Sequence, residues 1–212
     1  MHKDTVCGTI VFDDRNGRIT GYRDHHTGAS PYIGNADLKK MMRWWEMRAV
    51  PASRAAIQEV LKRSGCLNTS LYLAKNLALS MMDAYWVCPS DAGLNYDQVK
   101  FSNLIDYNEG KIPYHNTTSY DYNASLGGQM EKYWDLDQPI PVLVKESSRF
   151  HGQQSVNELF ATHIYTLQDS GIPFVKYSAE AIEGHGIISR CNAFTSDKVE
   201  LISAYELVES QK

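Results

Sequence analysis

Two alternating apolar and polar runs occupy the first 25 residues. In "TVCGTIVFDDRNGRITGYRD" both runs are β-rich, and they flank Arg15-Asn16-Gly17. Asn-Gly supplies the positive φ that a tight turn needs, so the stretch predicts a β-hairpin. "HHTGASPYIG" reads as a loop. "LKKMMRWWEMRAVPASRAAIQEVLKRSG" is helical in period and divides at Pro51. Ser53 is the expected N-cap of its second part, Ile57, Val60 and Leu61 form the apolar stripe, and Gly65 sits where a helix ends. The adjacent Trp44 and Trp45 cannot share one side of an element. One is expected to pack inward while the other covers a neighbouring surface, and the pair reads as core packing rather than as an exposed binding platform. "TSLYLAKNLALSMMDAYWVCP" predicts a helix running into a strand at 85–88, with Trp86 in the core.

The stretch "YDQVKFSNLIDYNEGKIPYHNTTSYDYNAS" is polar, turn-rich and aromatic. It holds the expected internal boundary, between Ile112 and Tyr122, and gives two subdomains, 1–115 and 116–212. "PIPVLVKES" predicts a strand and "SVNELFATHIYTLQDSG" a helix. "IPFVKYSAEAI", "GHGIISRCNAF" and "KVELISAYELV" are strand-like, the last turning helical. The expected class is α+β. A small hairpin-and-helix N-terminal subdomain packs on an antiparallel sheet with one long helix inserted.

Composition narrows the function classes. A chain of 212 residues is one large domain or two small ones, long enough to bury a core without staples. The net charge of −4 argues against general nucleic-acid binding. Cys7, Cys66, Cys88 and Cys191 are isolated, with no C-x-x-C pair. They read as reduced thiols in a cytoplasmic protein, not as a zinc site or a disulfide framework. His25 and His26 have no third ligand nearby and read as solvated loop residues. No apolar run approaches the ~18 residues of a membrane span, and the N-terminus has no apolar signal core.

The candidate chemistry lies in "SLGGQMEKYWDLDQPIPVLVKESS". Ser125, Gly127 and Gly128 allow close backbone approach, and exposed N–H groups there would cradle an anion. Lys132 or Lys145 would neutralise phosphate oxygens. Lys145 ends an apolar strand and Glu158 lies on the following helix. A strand lysine paired with a helix glutamate holds nucleotide phosphates in protein kinases. The motif evidence is thin, because neither G-x-G-x-x-G nor G-x-x-x-x-G-K-[ST] is present. Ser155-x-x-Glu158 also reads as a capping box, a role that needs no ligand. On a helical wheel Glu158 lies opposite the centre of the stripe formed by Val156, Leu159, Phe160, Ile164 and Leu167. The wheel therefore predicts a long or absent Lys145–Glu158 contact.

The order "SLGGQMEK … VLVK … NELFATHIYTL … SGIPF … GIISRCNAFT" resembles the N-terminal half of HipA-type serine/threonine kinases. "WWEMRAVPASR", "AYWVCP" and "VELISAYEL" resemble further segments of HipA-like kinases. The resemblance implies a kinase N-lobe-like fold for 116–212. It casts Ser125 to Lys132 as the phosphate loop, Lys145 as the ATP lysine, Glu158 as its partner, and Arg190 to Thr195 as the approach to the hinge. A kinase also needs a catalytic Asp, an Asn and a metal-binding Asp. The only aspartates after Lys145 are Asp169 and Asp197, neither in such a motif, so the catalytic half is expected to be absent. The expected function is a protein-interaction or inhibitory module, encoded by a phage or mobile element and directed at a host kinase, toxin or defence protein. It requires no cofactor and binds ATP weakly at most. The alternative is the ATP-binding half of a split kinase completed by a separate chain.

Overall fold

The computed structural model describes residues 1–102, 115–116, 118–147, 150–184 and 186–212. The elements run β1 (Gly8–Asp13), β2 (Arg18–Asp24), α1 (Leu38–Arg48), α2 (Ile57–Ser64), α3 (Thr69–Lys75), α4 (Tyr96–Val99), β3 (Phe101–Ser102), β4 (His115–Asn116), β5 (Glu131–Asp135), β6 (Val142–Ser147), α5 (Gln153–Gln168), β7 (Ser178–Ile182), β8 (Gly186–Asn192) and α6 (Ala204–Ser210). The fold is α+β with antiparallel sheets, as the pattern predicts.

The chain divides into two compact units. The first comprises Met1–Asn103, His115–Gln129 and Thr195–Lys212, and the second, among described residues, is Met130–Phe194. The expected boundary between 112 and 122 lies partly outside the described residues. Residues 118–129 and the C-terminal segment from Thr195 belong with the first unit rather than with the sheet that follows Met130.

In the first unit β1 and β2 pair around Gly17, whose φ of 77° is the left-handed conformation that the Asn-Gly turn anticipates. Helix α1 turns Met41, Trp44, Trp45 and Arg48 inward at helical spacing. Both tryptophans are buried, as core packing of the pair predicts. The two rings sit 6.2 Å apart in one cluster with Ile19, Tyr32 and Leu73. Arg48, buried beside them, is fully paired. Its Nη atoms donate to both oxygens of Asp83 at 2.8 Å, its Nε donates to Ala78 O at 2.6 Å, and its guanidinium lies 4.8 Å from the Trp44 ring. Such pairing offsets the cost of burying the charge.

Three local expectations fail here. The cap of α2 is Ala56, without a side-chain bond, because 52–56 form turns before the helix starts. Ser53 Oγ donates to Gln129 instead. Gly65 does end α2, in the left-handed conformation. Residues 85–88 form no strand. Tyr85 makes a single bridge to His2, and Trp86 exchanges backbone hydrogen bonds with Met1. Trp86 is nonetheless core, 1% exposed. Residues 200–203 form no strand, and only the expected turn into helix holds: α6 starts at Ala204, closed by a capping box of Ser203 and Glu206.

The second unit is a four-stranded antiparallel sheet in the order β5-β6-β8-β7, with α5 inserted between β6 and β7. Registers are fixed by cross-strand pairs: Lys132 faces Lys145, Lys145 faces Ser189, and Leu143 lies between Trp134 and Cys191. Trp134, Leu143, Val144, Ile188 and Cys191 are buried.

Candidate functional site

Lys145 sits in the middle of this sheet, flanked by β5 and β8. Its side chain is 14% exposed. An ammonium so placed needs an anion or an aromatic face, and it has both. Nζ donates to Glu158 Oε1 at 2.5 Å and stands 4.3 Å from the centroid of the Tyr177 ring. The expectation of a long or absent contact is therefore wrong.

The reason lies in which side of α5 meets the sheet. The wheel locates the apolar stripe correctly, but the stripe faces outward: Val156, Leu159, Phe160, Ile164 and Leu167 are all exposed. The side carrying Ser155, Glu158 and Thr162 turns to the strands. Ser155 Oγ donates to Ile187 O at 2.9 Å, and Thr162 Oγ1 accepts from Tyr177 N at 2.9 Å. The capping-box reading fails with it. The helix begins two residues before Ser155, after Gly152 at φ 82°, and has no side-chain cap. Glu158 is thus an interior residue of α5, aimed at the sheet.

Tyr177 joins the ion pair to a cavity. An open cleft of about 840 Å³ runs along the sheet end where β6 begins and β8 finishes. Phe174, Tyr177 and Phe194 supply aromatic wall, Val142 an aliphatic one, and Lys176 and Arg190 positive charge. Arg190 Nε is buried with no hydrogen-bond partner among the described residues. The volume suits a drug-sized or nucleotide-sized ligand. Burial, together with a hydrogen bond to Cys191, holds the Tyr177 hydroxyl far above its ordinary range. Burial likewise raises the Cys191 thiol, against the opposing influences of the Tyr177 hydrogen bond and the nearby Lys145. Both groups stay protonated and neutral at pH 7.

Ser125, Gly127 and Gly128 lie in the first unit, whereas Lys132, Lys145 and Glu158 lie in the second. The glycine segment is engaged in packing. A Cβ on Gly127 would stand 2.3 Å from Met47 O, which explains the glycine. Arg54, itself buried, donates to the carbonyls of Leu126, Gly127 and Gly128. The N–H groups of Leu126 and Gly127 go to Asn123 O and Ser125 O. A phosphate cradle needs N–H groups turned outward, and this segment turns carbonyls toward a cation instead. Ser125 Oγ is buried without a partner.

The pocket side chains Tyr177 and Phe174 were not among the expected site residues, and Arg190, within β8, was expected only as the start of the approach to the hinge. The only sequence signal of Tyr177 and Phe174 is the short interval before β7, and it names no ligand. Among the described residues no three His, Cys, Asp or Glu side chains are grouped to hold a metal. No helix among them is long and apolar enough to cross a membrane. Comparison with protein-family models, curated proteins and solved structures finds no match to this chain.

Proposed function

We propose that the second unit binds a nucleotide, in the manner that its resemblance to a HipA-like kinase N-lobe implies. The observation that carries the reading is the Lys145–Glu158 ion pair, formed between a central strand and the helix after it. Its supports are the element order and the adjoining cleft. A strand precedes the lysine strand, the glutamate helix follows it, and two strands close the sheet. The base would lie against Phe174 and Tyr177 in the cleft, and Lys145 would meet phosphate oxygens, with Glu158 fixing its direction. The glycine segment 125–128 has no part in this site.

Phosphoryl transfer needs an aspartate base and metal-binding groups near the γ-phosphate. Asp169 ends α5, more than ten residues beyond Glu158, and Asp197 lies in the first unit, 3.7 Å from Lys100. Neither sits in an H-x-D, D-x-x-x-x-N or D-F-G motif. These residues therefore bind a nucleotide and leave its transfer to groups from elsewhere, as in the ATP-binding half of a split kinase. The other reading is an interaction or inhibitory module for a host kinase, toxin or defence protein. One observation favours it, the apolar side that α5 turns to solvent.

Titration calorimetry with ATP, with and without magnesium, tests the proposal. Binding in the range of about 0.1–1 mM is expected, with loss of at least tenfold in Lys145→Met. Absence of binding at several millimolar, or binding indifferent to that substitution, overturns it.

A further inference from the structure

We infer that α5 is the interface of a twofold-symmetric dimer, its partner being a second copy of this chain. Val156, Leu159, Phe160, Ile164 and Leu167 form one continuous outward stripe, and Phe160 and Leu167 are 64% and 69% exposed. A packed helix ordinarily buries such a stripe, yet here the polar side faces the sheet. The helix carries only one carboxylate or ammonium group, Glu158, and that group is turned inward to Lys145. The outer side therefore carries no carboxylate or ammonium group to recruit a strongly charged partner, its one ionisable side chain being His163.

Two apolar pairs of the stripe are palindromic, and Phe160 maps onto His163 on the same face. Val156 and Leu167, Leu159 and Ile164, and Phe160 and His163 lie at equal distances from the midpoint between Ala161 and Thr162. Two antiparallel copies crossing at that midpoint would set Val156 against Leu167, Leu159 against Ile164, and Phe160 against His163. An isologous contact requires this self-complementarity, whereas a contact with an unrelated surface does not. The exposed apolar side chains amount to roughly 500 Å² per copy, or about 1,000 Å² in a pair, the size of a weak, transient interface. Affinity in the micromolar range follows. The inference does not depend on nucleotide binding.

Sedimentation of the full chain between about 1 and 200 μM tests it, with micromolar association expected. Leu159→Glu would bury a carboxylate against Ile164 in the seam and should weaken association roughly 100-fold. Because Leu159 is exposed, the thermal midpoint and circular dichroism of that variant should match those of the native protein. Orientation is read by disulfide trapping. Val156→Cys mixed with Leu167→Cys should cross-link above the native-cysteine background. Val156→Cys alone should not, since its two copies would lie about 16 Å apart along the helices. A monomer throughout the range, a dimer unaffected by Leu159→Glu, or self-cross-linking of Val156→Cys overturns the inference. Lys145→Met should dimerise normally, which separates this failure from that of the nucleotide site.

Discussion

Neutralising one partner of the Lys145–Glu158 pair should cost more from the glutamate side than from the lysine side. Glu158→Gln leaves the Lys145 ammonium, 14% exposed, facing an amide and the Tyr177 ring. Breaking a fully buried pair costs about 3–5 kcal/mol. Glu158 is 30% exposed, so solvent screening reduces this to about 1–3 kcal/mol. Lys145→Met keeps the aliphatic stem in place and leaves a carboxylate that can turn to water, at a cost of about 1 kcal/mol or less. The double variant should be more stable than the sum of the single losses predicts, by about 1–2 kcal/mol. Urea unfolding followed by circular dichroism measures the cycle. Amide exchange in β6 and α5 assigns any loss to the second unit rather than the first. Additive losses, or a Lys145→Met cost above that of Glu158→Gln, would refute the reasoning.

Gly127→Ala should destabilise the first unit by about 2 kcal/mol or more, because its Cβ would meet the backbone oxygen of Met47 at 2.3 Å. It should leave ATP binding unchanged in calorimetry, and selective loss of ATP binding would restore the phosphate-loop role. Trp86→Ala should lower stability by about 3–5 kcal/mol in thermal melts, since the ring is 1% exposed and its Nε1 donates to Lys3 O at 2.8 Å. Burial pushes the Tyr22 and Tyr32 hydroxyls up to about 12 and raises those of Tyr72, Tyr85, Tyr96 and Tyr177 further. The folded chain then keeps protons that the unfolded chain loses above about pH 10, so the melting temperature should fall as pH rises through that point. Tyrosinate absorbance that grows with pH while the melting temperature stays constant would contradict this.

Short-range signals served well where the deciding contact is itself short-range. The β1–β2 hairpin follows from Asn16-Gly17, the end of α2 from Gly65, and β6 from its apolar run. Long-range contacts account for most of what was missed. The segment at 85–88 has strand composition, but Trp86 bonds to Met1, Val87 N donates to Leu77 O, and only Tyr85 forms a bridge. Arg48 occupies a buried position on the Trp44–Trp45 side of α1, and nothing in the sequence tells that its anion is Asp83, 35 positions on. The glycine segment looked like a phosphate loop because phosphate cradles and tight packing both need residues without a Cβ. The contacts of Gly127 with Met47, and of Arg54 with three carbonyls, decide between the two.

The same short pattern, Ser-x-x-Glu, occurs at Ser155–Glu158 and at Ser203–Glu206, and only the second is a capping box. Ser203 has extended backbone at ψ 148°, its Oγ accepts from Glu206 N, and the Glu206 carboxylate accepts from Ser203 N at 3.0 Å. The reciprocal bonds satisfy orphan donors at a genuine helix start. Ser155 lies inside a helix that Gly152 has already initiated, so a cap there has no open N–H to serve. Its hydroxyl is spent on Ile187 O, and the carboxylate of Glu158 is left for another cation. Lys145, nearly enclosed in the sheet, is the group that requires one. Meeting that requirement turns the polar side of α5 inward and its apolar side outward, opposite to the rule for a surface helix. The ion pair of the proposed nucleotide site and the exposed stripe of the inferred dimer are thus two consequences of one helix rotation. Ser155 and Thr162, bonded to Ile187 O and Tyr177 N, hold the same rotation, so Lys145→Met loses the ion pair and still keeps the stripe outward.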